Sequence, residues 1–114
     1  MKGLTWLIRR VKESIVASFS RYKVAKVEYL PDKIHCRTVY IAGEGNHLWY
    51  AAMVCPCGCG AVLQLCLMDG QRPKWSVEEH DDGTVSLYPS IWRKVGCNSH
   101  FWIRRGKILW CRKR

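Results

Sequence analysis

The sequence lacks any apolar run that approaches the roughly 18 to 20 residues of a membrane-spanning helix. It also lacks the apolar core and the small-residue cleavage site of a secretory signal peptide. These absences, together with an odd number of cysteines, lead us to expect a cytoplasmic protein with reduced thiols rather than a disulfide framework. No internal repeat, low-complexity tract or flexible linker interrupts the 114 residues, so we expect one domain with a modest core.

Acidic residues are scarce, because nine Asp and Glu face nineteen Lys and Arg and give a formal net charge of +10. The excess is concentrated in residues 2–26 and 104–114. A basic surface of this kind attracts an acidic partner, whether nucleic acid, anionic lipid or an acidic protein, and a solvated solubilising face is the alternative. Six tryptophans would suit base stacking in a nucleic-acid-binding zinc ribbon, but no RNA-recognition signature appears, and nucleic acid is not favoured.

Cysteine is abundant by contrast, and three of the seven lie in the segment Cys55-Pro56-Cys57-Gly58-Cys59-Gly60. A disulfide across one intervening residue strains the bond geometry, whereas a turn containing glycine and proline can direct several sulfurs towards one point. Further along the chain, Cys97-Asn98-Ser99-His100 has a spacing that lets a thiolate and an imidazole reach the same ion. Zn²⁺ prefers four such ligands arranged as a tetrahedron. The pattern therefore predicts a zinc site.

Five residues compete for the four positions around the predicted zinc ion. We predict the ligands Cys57, Cys59, Cys97 and His100, with Cys55 as an alternate ligand. Unligated core cysteines are the alternative, because a free cysteine is commonly a small buried apolar side chain. Three or more cysteine ligands favour a structural site, in which protein atoms fill all four positions.

An open zinc site would instead need a general base close to a bound water. Glu44 in a glycine-flanked turn and His80 at the end of a hairpin are the candidate bases, although each could simply be an exposed or strand-capping residue. Ser90 follows a proline and is a candidate nucleophile with His80 or His100 as its base, although a turn-forming role is the alternative. A zinc deaminase is excluded, because no His-x-Glu occurs and one residue alone separates Cys57 from Cys59.

The apolar pattern predicts one helix followed by strands. Residues 4–19 carry apolar side chains at helical intervals with a basic opposite face, which predicts an amphipathic helix over residues 1–20. The remaining apolar runs are short and β-prone, and the two that flank the cysteine segment predict a hairpin like that of a zinc ribbon. The predicted fold class is therefore α+β, mostly β with an N-terminal α-helix and a small zinc-ribbon-like antiparallel sheet, with residues 21–114 as a single zinc-binding domain.

Several short motifs follow one another between Val39 and Cys111. They are HLWYAA at 47–52, CPCGCG at 55–60, Trp75, an Asp-Gly turn at 82–83, YPSIW at 88–92 and GCNSHFWIRRG at 96–106. Their order resembles a small bacterial family catalogued as the domain of unknown function number 6527. Members of that family are often found beside genes for ubiquitin-like proteins and their conjugation enzymes, and are regarded as metal-binding proteins. The resemblance implies bound zinc and a ubiquitin-like protein or a conjugation enzyme as partner.

Three functions follow from these observations. The first is a zinc-dependent peptidase that processes or removes a ubiquitin-like modifier in a bacterial protein-modification pathway. The second is a non-catalytic, zinc-stabilised adaptor of the same pathway. The third is a nucleic-acid-binding zinc ribbon.

Overall fold

A computed structural model of the protein describes residues 21–111, which contain eight β-strands and no helix. The strands are β1 Lys23–Val27, β2 Thr38–Glu44, β3 His47–Val54, β4 Val62–Cys66, β5 Ser76–Glu79, β6 Val85–Trp92, β7 His100–Arg104 and β8 Lys107–Trp110. They form two four-stranded sheets, with the orders β1-β2-β3-β4 in the first sheet and β5-β6-β7-β8 in the second sheet. No helix that could cross a membrane occurs within the described residues.

The first sheet begins with a parallel pair, because residues 28–37 carry the chain back so that β2 starts at the same end as β1. Gly45 and Asn46 then form a two-residue turn into antiparallel β3, and Gly45 adopts a φ of +60°, which suits glycine in a tight hairpin. The predicted hairpin around the cysteine segment is confirmed, since β3 and β4 pair antiparallel and residues 55–61 connect them.

The second sheet is an antiparallel meander in which β6 contains an irregularity. Leu87 pairs with Ile103 and Ile91 pairs with Phe101, so β6 advances four residues while β7 advances two. The extra residues of β6 form a bulge that includes Ser90. A bulge of this kind bends the strand and changes the direction of the side chains within it.

The two sheets share one apolar core. Its members from the first sheet and from the second sheet form a single cluster of buried side chains: Val39, Ile41, Ala51, Met53, Leu65, Val85, Leu87, Ile91, Phe101 and Ile103. Met53 and Phe101 are among the largest of the fully buried side chains. Because strand side chains alternate between the two faces of a sheet, each sheet packs one face into this core and has its other face directed away from the core.

The predicted fold class is wrong. The described residues are all β, and they form two sheets with one parallel pair where we predicted a single small antiparallel sheet. The apolar pattern identifies strands, but it does not show that the chain passes from one sheet to the other between β4 and β5. The predicted helix over residues 1–20 lies outside the described residues, and the domain boundary beside it stays a prediction.

Gly106 joins the start of the first sheet to the second sheet. Its carbonyl accepts a hydrogen bond from the amide of Tyr22 at 2.8 Å, and its own amide donates to the carbonyl of Val85 at 2.8 Å. It has a φ of +77°, and an added Cβ would lie 2.8 Å from the carbonyl oxygen of Tyr22. Gly45 also has a positive φ, but an added Cβ there would meet nothing within 4 Å.

Replacing these two glycines should therefore have unequal effects on stability. Gly45→Ala should lower the free energy of unfolding by roughly the 1–2 kcal/mol that a left-handed residue costs. Gly106→Ala has the same backbone strain, and its added Cβ also forces Tyr22 away. Its loss of unfolding free energy should therefore be larger. Urea denaturation of both variants checks this expectation, and equal losses of unfolding free energy would contradict a steric cost from the close approach of Gly106 to Tyr22.

Candidate active site beside a cysteine cluster

The loops of two hairpins, one from each sheet, bring four cysteines together. The β3–β4 loop carries Cys55, Cys57 and Cys59, and the β6–β7 loop carries Cys97. The four Sγ atoms lie within 4.8 Å of one another, and we call these residues the cysteine cluster. Four sulfurs at about 2.3 Å from one Zn²⁺ would stand about 3.8 Å apart in a tetrahedron, so the donor set fits one thiophilic metal ion.

The environment of the cluster combines burial with positive charge. Burial raises the pKa of the Cys55 thiol to about 12, whereas the hydrogen bond from the Ser99 hydroxyl lowers the pKa of Cys97 to about 5. The guanidinium of Arg93 lies 3.4 Å from Cys59 Sγ and 3.5 Å from Cys97 Sγ. A cation and a hydroxyl therefore face the thiols, as is favourable where several thiolates share a small volume.

A serine and a histidine lie next to the cluster on the second sheet. Ser90 Oγ is 2.9 Å from His100 Nε2, which is hydrogen-bonding distance. The bulge in β6 carries Ser90, while His100 is the first residue of β7, and both are half-buried and therefore open to a substrate. Trp75, which directly precedes β5, donates a hydrogen bond from its Nε1 to the carbonyl of Ser90 at 3.3 Å and so stabilises the bulge. This pair has the geometry of a nucleophile and its base.

The imidazole of His100 stacks on an indole ring. The ring centroids of Trp92 and His100 are 5.1 Å apart and their planes are inclined by 14°. Trp92 Nε1 donates to Asn98 Oδ1 at 3.0 Å, and Asn98 adjoins Cys97 in the β6–β7 loop. Within residues 21–111, no carboxylate forms an ion pair with His100. The indole, rather than an acidic side chain, therefore fixes the plane of this ring.

The other predicted site residues lie elsewhere. His80 is at the opposite end of the second sheet, where its Nε2 is 2.7 Å from the Oγ of Ser86, a serine that is 1% exposed and closed to substrates. Glu44 pairs with His47 at the far end of β3, eight strand residues before Cys55, which is about 26 Å at 3.3 Å per residue. The structure brings neither residue to the cluster or to Ser90.

The structure thus separates residues that the sequence pattern had grouped. Of the predicted ligands, Cys57, Cys59 and Cys97 come together with Cys55, and His100 is placed against Ser90 instead. Sequence reasoning missed Arg93, Trp92 and Asn98, although Trp92 lies two residues after Ser90 in the same strand.

The stack should control how firmly the His100 ring is held. Trp92→Ala removes the aromatic surface, so the ring should sample more orientations and the hydrogen bond to Ser90 should be partly lost. Trp92→Phe keeps an aromatic surface while losing the bond to Asn98, and should retain most of the order. NMR of ¹⁵N-labelled histidine rings measures the order of the His100 ring in both variants. The His100 signal is assigned as the one that is lost in His100→Gln. Identical ring signals in wild type and Trp92→Ala would contradict this role.

No curated protein and no solved structure matches the chain. Residues 26–111 match the family described as "Bacterial ubiquitination-like system serine protease (BubE)", which is more than half of the 114 residues. The match contains Ser90, His100 and the whole cysteine cluster. It supports the predicted ubiquitin-like setting, although it does not carry the label of the domain of unknown function 6527. The chain belongs to the BubE family, the family of serine proteases of bacterial ubiquitination-like systems.

Proposed function

We propose that the protein is a serine peptidase of a bacterial ubiquitin-like modification pathway, with Ser90 as nucleophile and His100 as general base. The distance of 2.9 Å between Ser90 Oγ and His100 Nε2 carries this proposal. The description of the family supports the reaction class and the pathway. The substrate would be the ubiquitin-like modifier, either as a precursor or joined to a target.

Ser90 and His100 can perform both steps of such a reaction, the formation of an acyl ester on the serine and the hydrolysis of that ester. Ser90 Oγ attacks the carbonyl carbon of the cleaved amide while His100 Nε2 takes the hydroxyl proton. His100 then gives that proton to the leaving amine, and the acyl group stays on Ser90 as an ester. Water hydrolyses the ester, with His100 accepting the proton of the water and returning it to Ser90. The reaction needs no oxidant or further reactant.

We further propose that the cysteine cluster binds a structural Zn²⁺. Four thiolates fill a tetrahedral shell and leave no position for a reacting water, so zinc would supply folding energy rather than catalysis. In this ligand set Cys55 takes the position that the sequence pattern gave to His100, because His100 Nε2 lies against Ser90 Oγ. Several free thiols also suit the reducing cytoplasm, where we place the protein.

Replacing the nucleophile or the base tests the peptidase. Ser90→Ala and His100→Gln should each lower kcat for cleavage of a modifier precursor on the order of 10³-fold or more, because neither residue works without the other. His80→Gln is the matched control, since it removes a histidine that also contacts a serine but lies away from Ser90. Full cleavage by Ser90→Ala would exclude Ser90 as the nucleophile, whereas an absence of cleavage by the wild-type protein would leave the non-catalytic adaptor as the better function.

Thiol labelling tests the metal. Cys36, Cys57 and Cys59 are all exposed, but Cys36 lies outside the cysteine cluster. In zinc-loaded protein, iodoacetamide should modify Cys36 and spare Cys57 and Cys59, because coordination to Zn²⁺ draws electron density from a thiolate and makes it a weaker nucleophile. After treatment with a strong chelator all three should react, and the domain should lose on the order of 10 kcal/mol of folding free energy. Peptide mapping by mass spectrometry measures each site.

Labelling that is the same before and after metal removal would contradict the metal site. X-ray absorption on the zinc protein then separates the two ligand sets. Four sulfur neighbours at about 2.3 Å support Cys55 as the fourth ligand, whereas three sulfurs and one nitrogen support His100.

A further inference from the structure

The second sheet has one face in the core and one face that carries the Ser90–His100 pair. Phe101 and Ile103 on β7 are fully buried in the core. His100, Trp102 and Arg104 alternate with them and therefore lie on the opposite face, which we call the outer face. An extended substrate that reaches Ser90 must pass over or along this outer face.

Arg104 is held on the outer face by two aromatic rings. Its guanidinium carbon lies 4.9 Å from the ring centroid of Tyr88 and 4.6 Å from that of Trp102. Contacts at these distances orient a planar guanidinium through cation–π attraction. Both rings contact the guanidinium, and the N–H groups of an arginine lie at the edge of its plane, where a carboxylate binds with two parallel hydrogen bonds.

The guanidinium has no acidic partner in the described part of the chain. The ion pairs there join Lys26 to Glu79, Lys74 to Asp69 and His80 to Glu78. Glu78, the nearest acidic residue in the strand register, faces Ser86 on β6 and so lies two strands from Arg104. An oriented, exposed cation without a carboxylate is ready to accept one from another molecule.

The position of Arg104 along β7 sets its distance from the reaction. Arg104 is four positions after His100, which is about 13 Å at 3.3 Å per residue. An extended peptide has nearly the same rise, so Arg104 would meet a side chain about four residues from the cleaved bond. Lys94 lies 5.0 Å from the Trp92 ring at the other end of the outer face, and Lys107 pairs with Arg104, so the charge of this face suits an acidic segment.

We propose that Arg104 is a specificity-determining residue, which binds the carboxylate of an Asp or Glu about four residues from the bond that Ser90 cleaves. The proposal rests on the proposed function of Ser90 and His100, since they fix where the bond lies. It assigns to the outer face an extended, acidic segment of the modifier or of its target. A purely structural role, in which Arg104 only packs Tyr88 against Trp102, is the alternative that the test must reject.

Binding to the Ser90→Ala protein tests the proposal without any need for cleavage. The probes are fluorescent peptides that contain the cleaved bond of the modifier precursor, with Glu, Gln or Lys placed four residues before or after that bond. The Glu peptide of one series should bind about tenfold more tightly than its Gln counterpart, because a charge-assisted bidentate contact is gained. Fluorescence anisotropy measures the affinities.

Substitutions of Arg104 in the Ser90→Ala protein show whether that residue recognises the charge of the peptide side chain. Arg104→Gln should abolish the preference for Glu, Arg104→Lys should keep part of it, and Arg104→Glu should reverse it in favour of the Lys peptide. Lys33→Gln removes the same charge from the loop between β1 and β2 and should keep the full preference. A structural role would change the thermal unfolding of the Arg104 variants and leave the ratio of Glu to Gln affinities unaltered.

The outcomes separate this proposal from the peptidase assignment. Equal affinity for all peptides, or a preference that persists in Arg104→Gln, overturns the role of Arg104 even where Ser90 proves essential for cleavage. Conversely, precursor cleavage that survives Ser90→Ala overturns Ser90 as the nucleophile, while the charge reversal by Arg104→Glu still reports an acidic ligand on the outer face.

Discussion

The convergence of two hairpin loops at the cysteine cluster is the constraint on which the rest of the site depends. Cys55 and Cys97 are 42 positions apart in the sequence and lie in loops of different sheets, yet their sulfurs are 3.6 Å apart. Closing such a long loop costs conformational entropy, and thiols contribute little to stability without a shared ion. A bound metal would offset that cost and join the two sheets at the end where Ser90 lies. A small domain with a modest core gains most from such a link.

The run from Cys97 to His100 connects the cluster to the Ser90–His100 pair. Each residue in it makes a different contact: Cys97 joins the cluster, Asn98 binds the indole of Trp92, Ser99 contacts two of the thiols and His100 meets Ser90. Because these four residues are consecutive, a shift of the β6–β7 loop moves the imidazole of His100 and the indole that stacks on it. In the proposed function, metal binding would therefore be coupled to catalysis through the backbone, although the ion takes no part in the reaction.

The sequence predicts local features of this protein better than long-range ones. Alternating apolar residues and Asp-Gly or Gly-Asn turns locate most strands, and the cysteine spacing locates the cluster. The pattern does not reveal that β1 pairs in parallel with β2 or that the strands divide into two sheets, since those pairings join distant segments. The spacing of Cys97 and His100 suits a shared ion, but His100 begins β7, and strand alternation sets it on the outer face. The bulge that aims Ser90 at it arises from pairing with β7, which no local motif encodes.

The absence of an acidic partner for His100 within residues 21–111 has a physical rationale. A carboxylate behind the imidazole would have to lose water in a small domain, and a buried ion pair recovers that desolvation cost only with excellent geometry. The indole of Trp92 orients the ring at little desolvation cost, and in the proposed reaction its face would attract the imidazolium formed when His100 takes the proton of Ser90. The ammonium of Lys94 contacts the same indole. Its positive charge would repel an imidazolium on that ring and so weaken the attraction between the indole and His100. The ammonium of Lys94 and the imidazole of His100 thus share the surface of one aromatic ring.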